Sequence, residues 1–287
     1  MTRILAALAF LLLIAVPAAA QVTPARLPPV DSGLVALRLT DGSEIIGQVV
    51  ARDDSTMTVA GAGGVRTVVP VRALRSWRAA RGRIVGGRFR NSDPNTSRLF
   101  FAPTGRTLPR GSGYFADYYL FFPMVGVGIA DRFMLAGGMS IVPGASSQLL
   151  YIAPKIGVVR SPNLNVALGG LYVTVPGEAG YAGAAYGVAT FGSEDNAVTV
   201  VAGYPFANGN RPREPGFMVG AETRILREGK LMVEAWKLPG ISEVPVIVGF
   251  RFFGRRLSTD FGLLRVLGAG GDGGFPFVPW VDFAVHF

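Results

Sequence analysis

The chain of 287 residues has no cysteine, a single histidine, and charged side chains at only 16% of its positions. Without cysteine there is no disulfide framework, thiolate nucleophile, cysteine-based zinc site or lipid-modified N-terminal cysteine. The lone histidine, His286, excludes a multi-histidine metal centre within one chain. No metal and no cofactor are therefore expected. Charged residues usually make up about a quarter of a globular chain. Their scarcity beside 39 glycines, 20 prolines and 49% apolar residues describes a protein whose solvent is not water alone, and not an ordinary cytosolic enzyme. Also missing, beyond residue 20, is any unbroken apolar run long enough to cross a bilayer as a helix. Glycine or proline interrupts every candidate, as in residues 133–154, which excludes a helical bundle.

At the N-terminus, MTRILAALAFLLLIAVPAAA sets Arg3 before an apolar stretch over residues 4–16 and ends in Ala18-Ala19-Ala20. This is the pattern of a secretory signal peptide cleaved after Ala20. As an anchor helix it is too short, and Pro17 ends it. Residues 21–32 read as a linker, and all that follows is expected outside the cytoplasm.

Charge then divides the exported chain. Residues 21–111 carry 14 arginines, no lysine and 6 acids, whereas residues 112–287 carry 13 basic and 13 acidic residues. Ten of those arginines fall between Arg72 and Arg110, with the single acid Asp93 among them. A basic connector over residues 79–96 is expected, with Arg72, Arg75, Arg78, Arg81, Arg83, Arg88 and Arg90 as its positive face. Such side chains hold anionic lipid head groups at about 1 kcal/mol each, or they form a solvated linker. Nucleic acid is excluded as a partner, because an exported chain meets none and no base-stacking motif accompanies the arginines.

Residues 33–78 read as a small β module. Val35, Leu37 and Leu39 alternate up to the hairpin signal Asp41-Gly42, and a strand over residues 44–51 follows. Turns at residues 53–55 and 61–64 bound two further short strands, and Leu74 and Trp77 end the unit. So few residues bury little surface as an open sheet, so closure into a small barrel is expected. The order of strand, Asp-Gly, strand with Gly47, acidic turn, strand and glycine turn resembles the SH3-like and Sm-like barrels. That resemblance implies a peptide-, protein- or peptidoglycan-binding adaptor on residues 33–78.

From residue 112 onward the chain alternates apolar and aromatic segments with turns. Short polar turns at residues 130–132, 161–163, 193–196, 227–230 and 254–258 interleave with longer loops at 143–147, 176–180, 208–215, 239–243 and 268–274. This two-sided rhythm is that of a transmembrane antiparallel β-barrel with its short turns in the periplasm, and an open edge would be intolerable in hydrocarbon. With both ends of the barrel on one side the strand number is even, and twelve strands are expected, ten being the alternative. Parity puts Val246, Val248, Phe250 and Phe252 on one face and Arg251 on the other. The same parity assigns Glu222, Arg224, Glu234, Arg251, Asp260 and Asp282 to a charge-balanced lumen. Tyr114, Tyr118, Tyr119, Phe121, Phe122, Trp280 and Phe283 are expected as interfacial aromatic girdles.

The last residues, WVDFAVHF, carry Val281, Phe283, Val285 and Phe287 on one apolar face. They resemble the C-terminal signal by which outer-membrane barrels reach their assembly machinery. Together with the turn around Ala130-Asp131-Arg132, the chain over residues 97–287 resembles porin-like outer-membrane barrels carrying a small periplasmic domain. The resemblance implies location in the bacterial outer membrane, contact with its lipids and with the barrel assembly machinery, and a non-enzymatic role as a pore, small-solute transporter or envelope anchor.

Other chemistry is sparse. The one Gly-x-Gly-x-x-Gly, residues 268–273, leads into a strand rather than a helix, so it makes no phosphate cradle, and Asp272 is too few carboxylates for calcium. A membrane hydrolase would have to use His286, with Asp282 on the same face. No Gly-x-Ser-x-Gly accompanies it.

Overall fold

The structure is a computed structural model that describes residues 27–210, 214–268 and 277–287. The signal peptide expected over residues 1–20, most of the linker, and the glycine-rich run with Asp272 lie outside the described residues. The chain falls into two compact units, Met1–Phe89 and Arg90–Phe287.

In the first unit, five strands form an antiparallel sheet: β1 (Leu34–Leu39), β2 (Glu44–Arg52), β3 (Thr56–Gly61), β4 (Arg66–Pro70) and β5 (Leu74–Ala79). Their order is β4-β3-β2-β1-β5. The Asp41-Gly42 turn works as the sequence suggests: Gly42 takes φ 89°, and the Asp41 carboxylate accepts from the Ser43 amide and hydroxyl. At the next turn Asp53 accepts from the Ser55 and Thr56 amides and hydroxyls, and those donors hold its carboxyl well below the usual carboxylate range. Val35, Leu37, Val49, Met57, Val59 and Val69 are the buried centre. The expected closure is not made, since β4 and β5 remain the two edges of an open sheet. Leu39, Ile45, Val71, Leu74 and Trp77 pack over the centre instead, while bulges in β2 and β5 bend the sheet around it. Burial is thus achieved without a fifth ladder, between β4 and β5.

Several arginines assigned to the connector belong to this sheet. Arg72 lies in the one-turn 3₁₀ segment Val71–Ala73, and Arg75 and Arg78 lie on β5. Arg78 pairs with Glu44 at 2.5 Å. Beyond Arg81, a two-stranded hairpin of β6 (Gly82–Val85) and β7 (Arg88–Asn91) carries Arg83, Arg88 and Arg90.

The second unit is a closed antiparallel barrel of twelve strands. These are β8 (Gly113–Tyr118), β9 (Phe122–Ala130), β10 (Phe133–Met139), β11 (Leu150–Arg160), β12 (Leu164–Thr174), β13 (Tyr181–Gly192), β14 (Asn196–Ala207), β15 (Gly216–Leu226), β16 (Gly229–Lys237), β17 (Val244–Phe253), β18 (Leu257–Leu267) and β19 (Val278–His286). Neighbours in sequence pair, and β19 returns to β8 with Val285 opposite Phe115 and His286 opposite Tyr114. Phe287 completes the seam by exchanging both backbone bonds with Gly113 at 2.9 Å. Val281, Val285 and Phe287 point outward and are exposed, and Phe283 packs against Phe115. Alternation holds around the ring. Ile152, Ile156, Leu168, Val219, Val248, Phe250, Phe261 and Leu263 face outward, while Met218, Met232, Ile247 and Ala284 are buried inside.

The two units predict separable losses. Leu37→Ala removes a fully buried side chain of the first unit and should cost that unit about 2–5 kcal/mol. Limited proteolysis should then cleave residues 27–89 of the full chain faster, while the barrel keeps its heat-dependent mobility in SDS.

Candidate functional site

A ring of eight strands is filled by its own side chains, but twelve strands enclose more space than their walls occupy. Here the chain itself takes up that space. Between β7 and β8, residues 92–112 leave the sheet pattern and enter the barrel. There Asp93, Asn95, Ser97, Leu99, Phe100, Ala102 and Thr104 are 3% exposed or less. The segment folds back on itself as an irregular hairpin: Arg98 bridges Pro103, the Leu99 amide donates to the Ala102 carbonyl, and the Thr104 amide donates to the Ser97 carbonyl. Phe100 and Phe101 form its tip. Phe100 meets Trp280 edge-on at 6.2 Å, and Phe101 lies 6.1 Å from Trp236 and 6.2 Å from Tyr118.

The sequence leaves the first wall strand at either residues 97–108 or residues 114–122, and the connector over residues 79–96 either lipid-facing or solvated. The wall begins at Gly113, and residues 93–108 are the lumen's filling. Two of the arginines counted in the basic stretch, Arg98 and Arg106, are therefore lumen residues rather than part of a lipid-facing strip.

Each polar lumen residue named from the sequence has a definite place. Arg251 is fully buried on β17 and saturates its five N–H donors. Nε and Nη2 donate to the two Asp260 carboxylate oxygens at 2.7 and 2.6 Å. Nη2 also reaches the Leu99 carbonyl at 2.8 Å, and Nη1 reaches the carbonyls of Asn95 and Arg98 at 2.5 and 3.1 Å. One wall side chain thus grips the hairpin by its backbone. Glu222 accepts from Arg106 at 2.6 Å and Lys230 at 2.8 Å, and Lys230 also pairs with Asp93 at 2.8 Å. Asp282 holds Arg98 at 2.7 Å and the Trp280 indole at 2.8 Å. Glu234 accepts from the Phe101 and Ala102 amides, each at 3.1 Å, and from Trp236 at 2.7 Å. Arg224 sits apart from this group, paired with Asp195 at 2.7 Å and stacked over Phe253.

Parity found the wall residues but missed their partners. Lys155 was not singled out, yet it is buried and donates to the Ser97 and Thr104 carbonyls at 2.8 and 3.0 Å. The lumen counts five acids, Asp93, Glu222, Glu234, Asp260 and Asp282, and five bases, Arg98, Arg106, Lys155, Lys230 and Arg251. Of these, Glu234 and Lys155 bond to the hairpin's backbone rather than to an opposite charge. The wall alone supplies four of the acids and three of the bases. Balance is reached only with the hairpin in place. Wall glycines make room for it: a Cβ on Gly220 would lie 2.3 Å from Leu99, and one on Gly128 would lie 2.1 Å from the Pro109 carbonyl.

Several expected girdle aromatics also turn inward. Tyr114, Tyr118 and Trp280 are buried, and Tyr119 and Phe122 pack on the same cluster around the tip. The hydrolase arrangement does not form. Asp282 and His286 are four residues apart along one strand, about 13 Å at the strand rise, and Asp282 spends its oxygens on Arg98 and Trp280.

No protein-family model and no curated protein matches the chain. Among solved structures it is similar to the KdgM porin in complex with disordered oligogalacturonate, at 9% identity and a TM-score of 0.43, over 61% of this chain and 95% of that one. The KdgM porin alone gives 10% and 0.42 over the same shares. A loop-deleted OmpT, an outer membrane protein of Vibrio cholerae, gives 12% and 0.35 over 88% of this chain and 96% of that one.

Removing one member of a buried charge network strands its partners and typically costs about 3–5 kcal/mol. Arg251→Leu should therefore lower the thermal unfolding midpoint in detergent markedly. Glu234→Gln, which keeps an acceptor for the tip amides, should lower it much less.

Proposed function

We propose that the chain is a bacterial outer-membrane barrel that acts as a gated pore for small solutes, with the hairpin of residues 93–108 as its gate. The placement rests on the apolar exterior of a closed ring and on its two unlike ends. On the side where the chain enters and ends, the links are short: 131–132, 161–163, 193–195, 227–228 and 254–256. On the other side they run to 140–149, 175–180, 208–215, 238–243 and 268–277, with 119–121 the one short exception. Short turns lie toward the periplasm in such barrels, which supports a periplasmic location for residues 27–89. The open sheet of that unit, with its exposed arginines, is suited to an envelope protein, a peptidoglycan strand or anionic lipid head groups. The face of Val281, Phe283, Val285 and Phe287 is suited to the assembly machinery.

The observation that carries the gate is the chemistry of the contact between hairpin and wall. Permanent filling of a lumen is achieved at least as well by apolar side chains, because buried ion pairs return little net stability after desolvation. Here the tip packs apolar residues, but the limbs of the hairpin are held by ion pairs and by bonds to its backbone carbonyls, all of which water can replace once it leaves. It also continues directly into the periplasmic unit, so a pull on that unit acts along the chain on Asp93. A second reading, a permanently closed barrel that anchors the periplasmic unit, draws on the complete satisfaction of Arg251.

Two measurements separate these readings. In planar bilayers the intact protein should be mostly closed, and a chain lacking residues 93–108 should conduct steadily; equal silence from both, with the deleted chain still heat-modifiable in SDS, would favour the anchor. The absence of native cysteine makes Ser97→Cys a clean reporter. A thiol-reactive maleimide should label it slowly in resting membranes and faster with Arg251→Leu.

A further inference from the structure

At the periplasmic rim, one cleft of about 460 Å³ lies between the barrel wall and the outgoing limb of the hairpin. Arg132, the last residue of the turn before β10, and Arg160, at the end of β11, both line it. The two side chains brace each other's backbone. Arg132 Nη1 donates to the Val158 carbonyl and Arg160 Nη1 donates to the Asp131 carbonyl, each at 3.2 Å. Each guanidinium spends a single N–H of its five on that brace.

Neither has a carboxylate within 4.0 Å among the described residues. Across the cleft, Arg106 is already neutralised by Glu222 at 2.6 Å, which leaves Glu194 as the acid on the lining. Two exposed cations, each tied by one bond to a backbone carbonyl, thus face one acid at the mouth of a cleft with the volume of a small-molecule site. Two like charges on one lining are unfavourable without a counter-ion, and their planar donor forks match the paired oxygens of a carboxylate or phosphate.

We infer that this cleft binds a small anion, a carboxylate or phosphate group, between Arg132 and Arg160. The inference goes beyond conduction and needs no movement of the hairpin, so it stands or falls separately from the gate. Two sources share this chemistry, a free solute and the head group of an acidic phospholipid at the same rim.

The test is calorimetric titration of the full-length protein, in zwitterionic detergent, with inorganic phosphate and with citrate. The same protein is tested in nanodiscs with and without phosphatidylglycerol, whose retention is read by native mass spectrometry. Saturable binding should weaken about tenfold or more in the double variant Arg132→Gln/Arg160→Gln, the size expected for loss of charge-assisted hydrogen bonds. Arg255→Gln, on another turn of the same rim, should leave it unchanged, and heat-dependent mobility in SDS reports that every variant is folded. Binding of phosphate or citrate identifies a free solute. Retention of phosphatidylglycerol alone, lost with the arginine pair, identifies the head group. Absence of binding to all three, or binding indifferent to the arginine pair, overturns the inference.

Discussion

The structure turns on the grip of Arg251 on the hairpin inside the barrel. Its guanidinium is out of water, and a buried charge is tolerated only when it is paired and hydrogen-bonded. Asp260 supplies the pairing, and the carbonyls of Asn95, Arg98 and Leu99 supply the rest. Wall and hairpin therefore depend on each other. Without the hairpin the wall would expose stranded charges to its lumen, and without the wall residues 93–108 would lose the acceptors and donors that give them a shape.

That dependence follows from barrel size. Twelve strands leave a space that side chains alone do not close, and the chain resolves this with a segment of its own rather than with larger residues. Glycines on the wall are the complement of that choice, because they admit the hairpin's backbone and Leu99 where any side chain would collide. The apolar tip and the charged limbs divide the work. Phe100 packs among Trp280, Met218 and Ile247 in one cluster, and the limbs meet the charged wall. Apolar packing and ion pairing are thus located in different parts of the same short segment.

Much of the barrel was legible in the residues. Alternation of outward Val246, Val248, Phe250 and Phe252 against inward Arg251, and the two kinds of turn, gave the wall, its even strand number and the inward acids. The first unit was legible as strands and turns, because Asp41-Gly42 and the Asp53 turn act through contacts within a few residues. Its open edges were not, since whether β4 meets β5 depends on how far two bulges bend the sheet. The hairpin escaped notice for a plain reason. It has no period, and its arginines look like the solvated arginines that precede them.

What the sequence determined by itself is local or periodic: which residues form strands, which face each presents, and where the chain turns. Hydrophobic alternation and turn chemistry act over a few residues, so they can be read without knowing neighbours. What only the tertiary structure decided is which charges meet. Asp93 and Lys230, Arg98 and Asp282, and Arg106 and Glu222 are separated by more than a hundred residues in each case. A buried charge carries no mark in the sequence of the partner that neutralises it. Only closure of the ring, which left a space and a wall with one more acid than base, selected the segment that fills it.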